Sequence, residues 1–255
     1  MNWETMSIAG PALIAGLLVL STHVPLGIQV LNRGIVFIDL AVAQIAGIGV
    51  ILADWLGWEP QGWAVQVAAL AAALTGALLL NLTEKLWPEV QEAVIGVVFV
   101  LAASAAPILL AGNPHGGEQL KDLLVGQILW VRLDVLLWCA LAYAAILIAW
   151  FGFREHIGRA GFYLLFACAV TVSVQLVGLY LVFASLIVPS LATRAVKRKR
   201  LACAYGVGIA GYAAGLLASI ATDAPAGPVI VWTLALCAFG FAALGAVFSR
   251  RGDQS

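Results

Sequence analysis

The stretch AGFYLLFACAVTVSVQLVGLYLVFASLIVPSLATRAVKRKR, residues 160–200, decides the fold of this chain. It is apolar almost throughout and ends in the basic run Lys197, Arg198, Lys199 and Arg200. Basic residues gather on the cytoplasmic side of a membrane. Taken as one long helix, the stretch would leave that run, or everything before it, on the wrong side. Two crossings that turn tightly at Val177, Gly178 and Leu179 remove the conflict, and Gly178 suits such a turn because it lacks a Cβ.

The two crossings, at 162–177 and 179–196, belong to a longer series. Further apolar runs lie at about 8–30, 35–56, 63–82, 93–110, 133–151, 201–221 and 229–248. In hydrocarbon each has to be helical, because every backbone polar group must be satisfied within its own segment. Composition agrees. The 255 residues are 63% hydrophobic and 10% charged, against roughly 45–50% and about 25% in ordinary soluble domains, and the mean hydropathy is +1.04. A soluble globular protein is excluded, and no length is left over for a separate soluble domain. Residues 1–255 are therefore read as a single transmembrane domain. The expected fold is an all-α polytopic membrane protein, a compact bundle of about nine transmembrane helices, with eight as the lower count.

Placing the 197–200 cluster in the cytoplasm also puts Arg33, Lys85, Arg154, Arg159, Arg194, Arg250 and Arg251 inside, leaving only Lys121 and Arg132 outside. The N-terminus is then outside and the C-terminus inside. Residues 1–7 hold Glu4 and no Lys or Arg, so the first run is expected to be retained rather than cleaved as a signal peptide. Thirteen basic residues balance thirteen acidic ones, which leaves no electrostatic footprint for nucleic acid. Cys139, Cys168, Cys203 and Cys237 are far apart within apolar runs and read as small core residues. The chain has no GxSxG, HExxH or GxxxxGK[ST] pattern, so it is not expected to be an enzyme, and any ATP must be bound by another chain.

A few polar groups inside the apolar runs carry the functional reading. Asp39 has apolar neighbours on both sides, and an ionisable group there costs roughly 2.5–3.5 kcal/mol on insertion scales. It either borders a pathway for a cation or pairs with Arg33. Gln44, five positions on, is turned well away from it. His23 precedes Pro25, which frees the carbonyl four residues earlier; the imidazole either works on a metal or proton or hydrogen-bonds backbone. His115 and His156 fall in loops and read as solvated. Pro189 stands inside the second crossing of the quoted stretch, with hydroxyls nearby to satisfy carbonyls it releases.

Five segments occur in the order and spacing of one known family: Pro25-Leu26-Gly27, Arg33 followed by Asp39, Gly126-Gln127-Ile128-Leu129, Leu186-Ile187-Val188-Pro189 running to Arg194, and Pro225-Ala226-Gly227-Pro228. Over nearly its whole length the chain resembles the permease subunits of the zinc/manganese-type ABC importers. That resemblance implies a multi-pass protein of the bacterial inner membrane that forms a homodimer around a central path. It implies three partners besides the bilayer: an ABC-type ATPase subunit, an extracytoplasmic metal-binding protein and a second copy of the chain. A divalent metal would be the transported substrate, ATP would sit on the partner, and this chain would bind no cofactor. In the family a carboxylate near the start of the second span is followed one turn later by a His. Asp39 matches the carboxylate, but Ala43 stands where the His would be, and His23 is the candidate replacement. Pro189 and Gly178 are expected to shape the path. The family's longer cytoplasmic coupling segment is reduced here to residues 151–160, where Arg154, Glu155 and Arg159 are the candidates for contact with the ATPase. The rival is a stand-alone secondary metal carrier, or a proton-coupled one, with Asp39 as its titrating group.

Overall fold

The computed structural model describes residues 3–59, 62–110, 113, 116–153 and 156–252. Helices α1 (Trp3–Arg33), α2 (Ile38–Trp55), α3 (Trp63–Leu86), α4 (Gln91–Leu110), α5 (Gly116–Val125), α6 (Leu133–Gly152), α7 (Arg159–Val177), α8 (Leu179–Ala192), α9 (Arg200–Thr222) and α10 (Ala226–Gly252) follow one another with short connections. Eight of them are long and apolar enough to cross a membrane, and α8 is a shorter apolar helix of 14 residues. At 1.5 Å per residue α8 spans about 21 Å, less than the roughly 30 Å of a hydrocarbon core. The nine apolar runs of the sequence are thus eight long helices and one short one. The short one ends at Ala192, and the hydroxyl of its C-cap Thr193 turns back to the Pro189 and Ser190 carbonyls.

The break at Gly178 is where the sequence places it. Gly178 has φ +82°, a conformation that side chains with a Cβ rarely adopt, and it is the residue that both ends α7 and begins α8. Its backbone lies against that of Val125 and Gly126, and Gly126 also has positive φ. A Cβ on either glycine would fall inside the backbone of the other. Gly227, just inside α10, completes the junction: a Cβ there would sit 2.5 Å from the Val125 carbonyl oxygen. Two segments that carry the family resemblance, around Gly126 and Gly227, are thereby explained as backbone-to-backbone packing around Gly178.

Central and peripheral helices separate by burial. In the α1 and α7 spans 61% of residues are buried, against 22% in those of α4 and α10. α2 packs on α3 and α4, α9 on α10, and α1 and α8 pack together between these groups. The α1–α8 contact is close because Gly27 meets the Leu186 carbonyl directly; a Cβ there would overlap that oxygen and stand 2.7 Å from the Ser190 hydroxyl. Large side chains such as Ile108, Trp138, Trp232 and Phe239 are exposed on the outer helices, as expected where hydrocarbon rather than water is the solvent. α5 and the 3-10 turn Ile128–Trp130 are elements that no apolar run announces. α5 is short and amphipathic, and Leu120 packs against the small cluster of Ile51, Ala106 and Leu110.

Candidate functional site

Asp39 is the second residue of α2 and has no exposed surface. Neither of its carboxylate oxygens has a hydrogen-bond partner. The preceding residue but one, Phe37, is the N-cap of α2 and offers no side-chain cap. The first turn of a helix carries unsatisfied N–H groups and about half a positive charge, which favours an anion there. A carboxylate placed at this point is therefore partly compensated by its own helix. Arg33 is not its partner: the guanidinium stacks over the Phe162 ring at 4.2 Å. Ala43, one turn beyond Asp39, is buried. Gln44 lies on another side of α2 and lines a groove of about 510 Å³ with Phe99, Tyr180 and Phe183, a groove that Asp39 does not line.

His23 is also fully buried. Its Nδ1 lies 3.0 Å from the Val19 carbonyl oxygen and 3.1 Å from the Thr22 hydroxyl. A carbonyl can only accept, so the proton sits on Nδ1 and the Nε2 lone pair is left free. Nε2 has no hydrogen-bond partner. The carbonyl freed by Pro25, that of Ser21, is taken instead by the Tyr205 hydroxyl at 2.8 Å, and α1 continues through the proline without interruption. No hydrogen bond or ion pair links His23 to Asp39, and among the described residues no group of three His, Cys, Asp or Glu stands close enough to hold a metal ion.

Pro189 lies inside α8, which continues through it. The Ser185 hydroxyl donates to the Leu181 carbonyl at 2.6 Å and pairs with the Tyr212 hydroxyl at 2.8 Å. The Ser190 hydroxyl reaches the Val24 carbonyl of α1 at 3.4 Å. Arg200 supports the same region, donating to the Ser190 carbonyl and to Asn32. The basic run at 197–200 thus contributes one residue to the joint between α1 and α8.

Arg154 and Glu155 lie outside the described residues, as does His115. Arg159 opens α7 and forms an ion pair with Glu84 of α3 at 3.6 Å, with its own side chain about half exposed. Around it is a polar knot that the apolar runs did not reveal. Gln91 donates to the Leu80 carbonyl at 2.9 Å and to the Tyr163 hydroxyl at 3.3 Å, and accepts from the Thr83 hydroxyl at 3.1 Å. Its neighbour Glu92 accepts the Phe37 N–H at 3.2 Å. Two consecutive residues at the start of α4 therefore hold the ends of α2, α3 and α7. A fourth run drawn from Ala93 leaves both in a connection. The signal that could have found them is the pairing of an amide with an acid immediately before a span.

The family model of the ABC 3 transport family matches residues 5–158 and again 151–244. No curated protein matches the chain. Among solved structures, it is similar to a chain of PsaBC from Streptococcus pneumoniae in complex with Fab, with TM-score 0.76 and 20% identity over 94% of this chain and 95% of that one. It is also similar to a transporter described as of the metal-chelate ABC type in an inward-facing conformation, with TM-score 0.64 and 16% identity over 94% of this chain and 85% of that one. At such identities the two structures speak for the fold, whereas the family match runs over nearly all of the sequence. The chain with the Gly178 break and the buried Asp39 belongs to the ABC 3 transport family.

Proposed function

We propose that this chain is the membrane-spanning subunit of an ATP-driven importer for a divalent metal cation of the zinc, manganese or iron class. The observation that carries the reading is Asp39, a buried carboxylate with both oxygens unpartnered inside an apolar bundle. Such a group is costly unless it serves a cation on its way through. Weak contact suits this role, because a conducting site must release what it binds. The ion is cargo. His23, with its free Nε2, is a second candidate contact elsewhere on the route. Membership of the ABC 3 transport family supports ATP as the energy source over a stand-alone secondary carrier, and the metal-chelate type relative supports a metal-linked cargo.

The partners in this reading are an ABC-type ATPase subunit, an extracytoplasmic metal-binding protein and a second copy of the chain, in a bacterial inner membrane. The chain performs no covalent chemistry. Approach of the ATPase subunits rocks the helices and gives Asp39, which has no exposed surface in this arrangement, alternating access to the two sides. Pro189 and Gly178 shape the joints about which α8 moves, and Arg154, Glu155 and Arg159 receive the motion. The test is uptake of zinc, manganese and iron by the complex reconstituted with its ATPase and binding protein, with and without ATP. Asp39→Asn is expected to lower ATP-dependent accumulation by about tenfold or more. Wild-type accumulation by that variant in an assembled complex refutes the assignment.

A further inference from the structure

Asp39 is not the only carboxylate at the start of α2. Glu92 reaches across from α4 and uses one oxygen, Oε1, to accept the N–H of Phe37, two residues before Asp39. Its other oxygen, Oε2, is buried and has no partner. Both oxygens of Asp39 are likewise buried and without a hydrogen-bond partner, and the Phe37 N–H that Glu92 accepts stands just before the first turn of α2, the turn that carries Asp39. Among the described residues neither acid forms an ion pair, in contrast to Asp134, which pairs with Arg132, and Glu84, which pairs with Arg159. Three carboxylate oxygens thus remain unsatisfied at one helix terminus, out of contact with solvent. Two like charges held this way repel unless a proton or a cation lies between them. The helix terminus helps each singly but cannot neutralise both.

We propose that Glu92 supplies a second carboxylate to the cargo contact at Asp39, so that the two residues together present an all-oxygen site for a hard divalent cation. This rests on the reading of Asp39 given above and takes it further. The family's imidazole is absent at Ala43, and Glu92 offers an oxygen in its stead from a different helix. Oxygen donors without imidazole or thiolate suit cations of the manganese class. Two residues fall short of a closed metal site, which fits a passing ion rather than a resident one. The Phe37 N–H bond has a separate duty: it points the Glu92 carboxylate at the first turn of α2 and ties the site to α4.

The two duties can be separated by substitution. Glu92→Gln keeps an oxygen to accept the Phe37 N–H but removes the charge and the free carboxylate oxygen. Glu92→Asp keeps the charge but draws it back by one methylene. The probe is Mn²⁺, read both as binding to the purified complex by loss of the free-ion electron paramagnetic resonance signal and as the KM for ATP-dependent uptake. Glu92→Gln is expected to weaken Mn²⁺ binding and raise the KM by about tenfold, with the melting temperature held because the Phe37 N–H keeps its acceptor. Glu92→Asp is expected to lie between it and the wild type. If Glu92→Gln binds and transports Mn²⁺ like the wild type while Asp39→Asn is impaired, Glu92 is only a helix cap and the inference fails, with the reading of Asp39 intact. If Asp39→Asn also behaves as wild type, both fall. Should Glu92→Gln fail to assemble, the comparison passes to Glu92→Asp, and a wild-type KM there overturns the proposal.

Discussion

Replacing Gly178 by alanine tests the joint on which the arrangement of α7 and α8 depends. Gly178 has φ +82° and ψ 160°, a region populated almost only by glycine, so forcing a side chain into it costs about 1–3 kcal/mol. The added Cβ would also meet the Gly126 nitrogen, the Val125 carbonyl carbon and, at 2.7 Å, the Gly126 Cα, all of them backbone atoms that cannot rotate away. Overpacking of this kind costs roughly 1–3 kcal/mol more. The sum, about 2–6 kcal/mol, is a large part of the roughly 5–15 kcal/mol that holds a typical fold. For a chain of this length about 1 kcal/mol shifts the melting temperature by roughly 2–4 °C, so the expected drop is at least about 4 °C. The assay is thermal unfolding of the purified protein in one detergent. Gly206→Ala is the control, since nothing lies within 4 Å of a Cβ at that helical position, and alanine there is expected to hold or slightly raise stability. Equal melting temperatures for Gly178→Ala and wild type refute the backbone junction described above.

Two further outcomes follow from named contacts. Tyr205→Phe strands the Ser21 carbonyl that Pro25 releases and is expected to destabilise by about 0.6–1.7 kcal/mol; in a Pro25→Ala background, where an N–H returns to that carbonyl, the same change should cost measurably less, and equal costs in both backgrounds refute the pairing. Arg159→Ala breaks a half-exposed ion pair with Glu84 and should change stability by under about 1 kcal/mol, so a loss of transported metal per ATP in a complex that melts normally identifies Arg159 as a transmitter, whereas unchanged transport removes it.

Legibility differed between the elements for physical reasons. The long helices are visible as apolar runs because a bilayer imposes one solution on such segments. The Gly178 break was visible because charge placement demanded it. Its partner Gly126, some fifty residues earlier, was visible only as part of a family resemblance, since nothing in a glycine announces which backbone it will touch. Asp39 stood out as an acid among apolar residues. Glu92 did not, because an acid beside Pro88, Glu89 and Gln91 looks like a solvated connection until α4 is seen to begin there. Arg33 and Asp39 are six positions apart and opposite in charge, and only the fold shows that the guanidinium goes to Phe162 instead.

Composition and hydropathy were sufficient for an all-helical membrane domain, for its succession of apolar helices and for Asp39 as an acid set among apolar residues, because these depend on the chain's encounter with a uniform apolar solvent. Which helices touch, which glycines meet, whether α8 is long enough to cross, and that Glu92 accepts the Phe37 N–H at the start of α2 were decided by the tertiary structure. Those contacts join residues tens to well over a hundred positions apart, and they depend on side-chain shape and on the few polar groups the bundle must satisfy internally, neither of which leaves a periodic mark in the sequence.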